Sequence, residues 1–223
     1  MVRQALIDRR PFLLLSLALS VSFFFASDGR VPGLWLTAWK GACVGTLAIY
    51  AWDRGRGRDT VLIAAVMALG ALGDVGIEFA IELGALFFAL GHLVAILLYR
   101  HNAREIVQPS QKMAAFGLLL GTPIVTAMIT APQDGWLLAT IYALILGLMA
   151  ATAWVSRFSR YQVGLGAVLF VASDLLIFAK EAGRIDPAIT DWLIWPLYYT
   201  GQFLIVTGVI QRLRGERHNP AAV

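Results

Sequence analysis

The chain is a succession of long apolar stretches broken by short polar punctuation. Eight apolar segments can be drawn, at 11–26, 31–52, 60–81, 83–99, 113–131, 135–155, 162–180 and 190–210. Each is near the ~20 residues an α-helix needs to cross the hydrocarbon core of a bilayer, the shorter ones borrowing flanking residues. None alternates apolar and polar positions as a barrel wall does. A backbone in lipid must satisfy its own amides, so continuous segments of this length predict helices. The pattern therefore predicts an all-α polytopic membrane bundle of about eight transmembrane helices, forming one domain over 1–223.

Composition agrees. The chain is 59% hydrophobic and 14% charged, and a soluble domain of this length would need many more charges to cover its surface. Charge placement then sets the orientation. With a cytoplasmic N-terminus, the cytoplasmic segments hold Arg3, Arg9, Arg10, Arg54, Arg56, Arg58, Arg100, Arg104, Lys112, Arg157, Arg160, Arg212, Arg214 and Arg217. The opposite side holds only Arg30, Lys180 and Arg184. This asymmetry is a strong positive-inside signal and places both termini in the cytoplasm, as in a multi-pass protein of the bacterial inner membrane. Arg9 and Arg10 before the run at 11–26 also resemble a signal peptide cleaved near Ala26; a retained first helix fits the asymmetry better. The Arg-Gly-Arg-Gly-Arg run at 54–58 joins two apolar segments and reads as a headgroup anchor, so no nucleic-acid partner is expected.

Small residues add detail. Gly41/Gly45 and Gly117/Gly121 have the spacing of close helix packing. The lone cysteine, Cys43, has no internal partner for a disulfide and reads as a packed thiol. Gly73-Asp74 with Gly91-His92, and Ser173-Asp174 with Gly201-Gln202, suggest a weak parallel repeat of four helices plus four.

The chemistry lies in the few polar residues inside apolar segments: Lys40, Asp74, Glu78, His92, Asp174, Tyr198, Tyr199 and Gln202. An ionisable residue in a bilayer centre costs about 2.5–3.5 kcal/mol on insertion scales and calls for a compensating partner or a function. At about 1.5 Å per helical residue, Lys40, Asp174 and Tyr198 lie about 18 Å from the cytoplasmic end of their segments, and Asp74 about 21 Å. Gln202 and His92 lie about 12 and 10 Å up. Agreement in depth across five helices predicts a shared, water-accessible cavity. Asp74, Glu78 and Glu82 are spaced as one face of the third helix, an acidic stripe running toward the outer surface, for which Lys40 is the counter-ion. Two aspartates in unequal surroundings suit acid and base work. Each residue also has a plainer reading, as an interhelical hydrogen bond or a structural ion pair.

No phosphate-binding glycine loop, dinucleotide fingerprint or nucleophile elbow is present. The three histidines are His92, His101 and His218, and only His92 falls within an apolar segment. A three-histidine zinc centre in the membrane cannot be assembled from them; carboxylates with His92 remain a conceivable metal set.

At these residues the chain resembles the YhhN family of lysoplasmalogenases. The matching blocks are Leu72-Gly73-Asp74-Val75 continuing to Phe87-Phe88-Ala89-Leu90-Gly91-His92, then Gly166 to Asp174, then Tyr198-Tyr199-Thr200-Gly201-Gln202, with Lys40 where the family has a lysine. The chain departs from the family at Ala95, often a tyrosine, at Gly41, usually a proline, and at Glu78, outside the pattern. The resemblance implies hydrolysis of the vinyl ether bond of a lysoplasmalogen to a fatty aldehyde and a glycerophospho-headgroup, with a lysophospholipid substrate and no cofactor. On that reading Asp74 and Asp174 share the acid and base roles and Lys40 tunes one of them. His92, Tyr199 and Gln202 then position water or headgroup. Midplane acids paired with a lysine also mark proton-coupled transporters, and a lipid-binding protein without catalysis is a third reading.

Overall fold

The computed structural model describes residues 10–26 and 32–218. Arg3, Arg9 and Arg30 of the charge argument lie outside the described residues. The eight apolar segments each become one α-helix: α1 (Pro11–Ala26), α2 (Gly33–Arg54), α3 (Arg58–Ile77), α4 (Ile81–His101), α5 (Pro109–Thr130), α6 (Trp136–Val155), α7 (Leu165–Glu181) and α8 (Pro187–His218). A π-helical turn, Arg160–Gly164, leads into α7. Among the described residues six helices are long and apolar enough to cross a membrane: α3, α4, α5, α6, α7 with its π turn, and α8. The other two fall outside that set. α1 has 16 residues, about 24 Å of rise, and α2 carries Lys40 and ends in Asp53-Arg54.

Contacts group the chain into two compact units, Met1–Gly91 and His92–Val223, divided within α4. In the first, Ser16 Oγ donates to the Cys43 carbonyl at 2.6 Å and Trp39 Nε1 to the Leu19 carbonyl at 3.1 Å, tying α1 to α2. Cys43 is fully buried, the packed thiol expected. Gly41 and Gly45 face α3 as predicted: a Cβ on Gly41 would come 2.6 Å from Val75, and one on Gly45 3.8 Å from Ala71.

The α3–α4 connection differs from expectation. The third segment was expected to run to residue 81, but α3 stops at Ile77 and Glu78 caps it in αR geometry. Glu82 therefore sits in the first turn of α4, and the acidic stripe along one helix ends at Glu78. The cause is a backbone contact. A Cβ on Gly76 would lie 3.0 Å from the Gly84 amide, so two facing glycines let the chain reverse within Glu78–Ala80. The amides of Phe79 and Ala80 both return to the Gly76 carbonyl.

In the second unit α5 packs through Thr122, Thr126 and Thr130, which are buried at i, i+4, i+8. Gly147 of α6 fits against this face, with a Cβ there meeting the Leu118 carbonyl at 2.7 Å. Gly117 and Gly121 lie off this face, and among the described residues nothing comes within 4 Å of a Cβ at either. Their spacing is that of a packing pair, but the threonine face supplies the contact instead. α7 and α8 meet at Gly166 and Gly201, where a Cβ on either would stand 2.7 Å from the carbonyl oxygen of the other. Such a contact leaves no room for a methyl, and overpacking of this kind costs about 1–3 kcal/mol. Gly201→Ala should thus lower the unfolding midpoint in detergent, while Gly117→Ala, with open space, should leave it unchanged or raise it slightly; equal midpoints for the two variants would contradict the packing described.

Side chains at the helix ends of this unit sort into two groups. Arg157 donates to Asn102 Oδ1 at 2.7 Å and pairs with Glu216, which also holds Arg212. This joins the ends of α4, α6 and α8. At the other end, Gln133 donates to the Ala182 carbonyl and Arg184 to that of Ile129. The basic segments after α4, α6 and α8 therefore share one end, as an alternating path requires.

Candidate functional site

Within the first unit, Lys40 Nζ donates to Glu78 Oε1 at 2.6 Å. The lysine does find a carboxylate counter-ion, and it is the one at the end of α3. The pair is partly open, with side-chain exposures of 18% and 40%. Asp74, one turn earlier on α3, is 3% exposed. Its neighbour Gly73 admits the Phe88 ring, which a Cβ would meet at 2.8 Å. The small residue beside the aspartate therefore brings α4 close.

Within the second unit, α7 places Asp174 at mid-length between Phe170 and Phe178, one turn to either side. Asp174 is 7% exposed, and an aspartate is rarely so buried unless paired. Its partner is Tyr142 of α6, whose hydroxyl lies 2.6 Å from Asp174 Oδ2. The same hydroxyl lies 3.2 Å from His92 Nε2, and His92 is 4% exposed. The three form one chain: imidazole, phenol, carboxyl. Aromatic edges enclose it, with Phe170 against His92 at 4.9 Å between ring centres and Phe178 against Tyr142 at 5.9 Å.

A phenol has one proton and two acceptor lone pairs, so the chain has two consistent polarities. In one, Tyr142 donates to an Asp174 carboxylate and accepts from His92 Nε2–H. In the other, a protonated Asp174 donates to Tyr142, which donates to an unprotonated Nε2. Where Nδ1 also carries a proton, so that the first polarity pairs an imidazolium with a carboxylate, interconversion moves protons only, with no heavy atom displaced.

α8 contributes the next layer. Tyr198 meets Phe170 edge-on at 5.2 Å, Tyr199 stacks on Trp195 at 6.1 Å, and Gln202 Nε2 donates to Tyr198 Oη at 3.5 Å, the long limit of a hydrogen bond. Ser173 Oγ donates to the Ile194 carbonyl at 3.1 Å, fixing α7 against α8 beside the aspartate. Of the predicted residues, His92, Asp174, Tyr198 and Gln202 thus cluster around Phe170 in one unit, and Lys40, Asp74 and Glu78 belong to the other. Tyr142 was not among the sequence candidates, although it hydrogen-bonds both His92 and Asp174. Among the described residues no group of three His, Cys, Asp or Glu side chains is placed to hold a metal ion.

No curated protein and no solved structure matches the chain. A family model does match it, over residues 35–209, a span that holds every site residue above. The chain belongs to the YhhN family.

Proposed function

We propose that the protein is a membrane-embedded ether hydrolase that cleaves the vinyl ether bond of lysoplasmalogens, releasing a fatty aldehyde and a glycerophospho-headgroup. One observation carries the reading: a carboxyl group buried at the middle of an apolar helix and hydrogen-bonded to a phenol that itself contacts an imidazole. Membership of the YhhN family supports it.

The reaction needs what these residues offer. An acid protonates the β-carbon of the vinyl ether, and the cation that forms at the α-carbon is stabilised by the ether oxygen. Water then adds to that carbon and gives its proton to a base. The resulting hemiacetal loses the glycerol oxygen as an alcohol and becomes the aldehyde. Asp74 and Asp174 carry the acid and base steps, in the manner of the carboxylate pairs that hydrolyse acetals. Lys40 and Glu78 set the local charge beside Asp74, and His92, Tyr198, Tyr199 and Gln202 orient water or headgroup. The substrate is a lysophospholipid taken up from the bilayer, and no cofactor takes part. Eight spans with both termini cytoplasmic, in a bacterial inner membrane, belong to the same proposal; the shared end of the basic segments supports it.

The test is product analysis with purified protein in mixed micelles. Free aldehyde and glycerophospho-headgroup are expected from a vinyl ether lysolipid, and neither from the saturated alkyl ether of the same chain length. Absence of aldehyde, or equal cleavage of both lipids, would overturn the reading.

A further inference from the structure

We infer that His92 and Tyr142 form a proton wire that reloads Asp174, which assigns Asp174 the acid step. The inference rests on the hydrolase reading and adds to it the role of Asp174 and the path by which its proton is restored.

The argument begins with connectivity. Asp174 Oδ2, Tyr142 Oη and His92 Nε2 are linked at 2.6 and 3.2 Å, and the carboxyl and the imidazole are both more than nine-tenths buried. Phe170 and Phe178 shield the chain at both ends of the aspartate's helical turn. An acid that gives a proton to carbon once per turnover must recover one before the next. Among the described residues Tyr142 is the hydrogen-bond partner of the Asp174 carboxyl, and it links that carboxyl to the imidazole, so this is the route by which the acid recovers its proton.

The transfer balances. A proton reaching His92 Nδ1 makes an imidazolium. Its Nε2–H passes to Tyr142 Oη as the phenol proton passes to the Asp174 carboxylate. The imidazole is left neutral with its proton on Nδ1, the phenol again holds one proton, and the carboxyl is again an acid; return of the imidazole proton from Nδ1 to Nε2 and rotation of the phenol hydroxyl reset the wire for the next cycle. The proton lost to the substrate carbon is matched by the one that water delivers to the base, so each cycle consumes one water and no net proton. In this scheme Tyr142 and His92 act through Asp174, and the orienting of water or headgroup falls to Tyr198, Tyr199 and Gln202.

The experiment pairs kinetics with infrared spectroscopy. Tyr142→Phe keeps the ring packed against Phe178 but removes the hydroxyl. It should release aldehyde in a first turnover near the wild-type rate, with one equivalent per protein, and then slow by about 100-fold in steady state. His92→Gln should show the same burst with a smaller slowing. Asp174→Asn should show no burst. The carboxyl stretch that disappears in Asp174→Asn should shift in Tyr142→Phe, a reading that does not depend on turnover. Wild-type steady-state turnover in Tyr142→Phe, a first turnover as slow as later ones, or an unshifted carboxyl band would each overturn the wire. A wild-type protein that releases no aldehyde at all would instead sink the hydrolase reading on which it rests.

Discussion

Asp174→Asn is expected to lower aldehyde release by about 10³-fold, the scale on which a positioned acid or base contributes. The substitution replaces one carboxyl oxygen by an amide nitrogen of the same size, and the remaining oxygen still accepts the Tyr142 hydroxyl. The Tyr142 hydroxyl keeps its acceptor, so the penalty of about 1–3 kcal/mol for orphaning that buried group does not arise. Loss of activity should therefore come with wild-type helix content and a near wild-type unfolding midpoint. The amide carries no ionisable proton to give to carbon. In deuterated water the wild-type protein should place one deuterium on the carbon next to the aldehyde, detected after rapid trapping. Asp174→Asn should leave recovered substrate unlabelled and release almost no aldehyde. Full activity in the variant would remove Asp174 from the chemistry altogether.

Much of this arrangement was legible in the amino-acid sequence because the bilayer makes polar residues conspicuous. Asp174 and His92 stand out within long apolar runs, and both prove to be buried and hydrogen-bonded. Helix positions followed from the same contrast; α1 and α6 fall within a residue of the expected segments. Tyr142 stayed hidden because its helix carries no charged, amide or imidazole side chain to draw notice, whereas Tyr198 and Tyr199 stand beside Gln202. Its register was nonetheless available. It lies about 9 Å from the start of α6, and Asp174 about 10 Å from the end of α7, at 1.5 Å per residue. Those two ends adjoin through Gln133 and Ala182. Depth agreement, already applied to Tyr198, would have found Tyr142 as well.

The misplacements have a common cause. Hydropathy gives the extent of an apolar run but says nothing of which face packs. Gly117 and Gly121 carry the spacing of a contact pair, yet the threonine face of the same helix makes the contact. Glu82 follows Asp74 and Glu78 in helical register, yet the chain turns between them because Gly76 and Gly84 let two backbones touch. Lys40 was assigned a carboxylate correctly in kind, and the structure selects Glu78, a residue outside the family pattern. In each case the deciding term is a tertiary backbone approach, which depends on residues far apart in sequence.

Asp74→Asn should fail in a different way, and the difference identifies the base. If Asp174 protonates the vinyl ether and Asp74 activates water, removing Asp74 leaves the first step intact and slows the second by about 10²–10³-fold. The cation then reverts more often than it is captured. In deuterated water this reversal exchanges hydrogen for deuterium on the vinyl β-carbon of uncleaved substrate. Recovered lipid from Asp74→Asn should therefore be labelled while aldehyde is nearly absent. Wild-type protein should label product alone, because capture by water outruns reversal. Glu78→Gln separates this role from simple charge at the end of α3, since it weakens the Lys40 pair but leaves the Asp74 carboxylate in place; it should cleave substrate without labelling what remains. Exchange in Asp174→Asn instead of Asp74→Asn would reverse the roles of the two aspartates. Exchange in neither would mean that the α3 carboxylate acts before protonation, through the binding of the lipid.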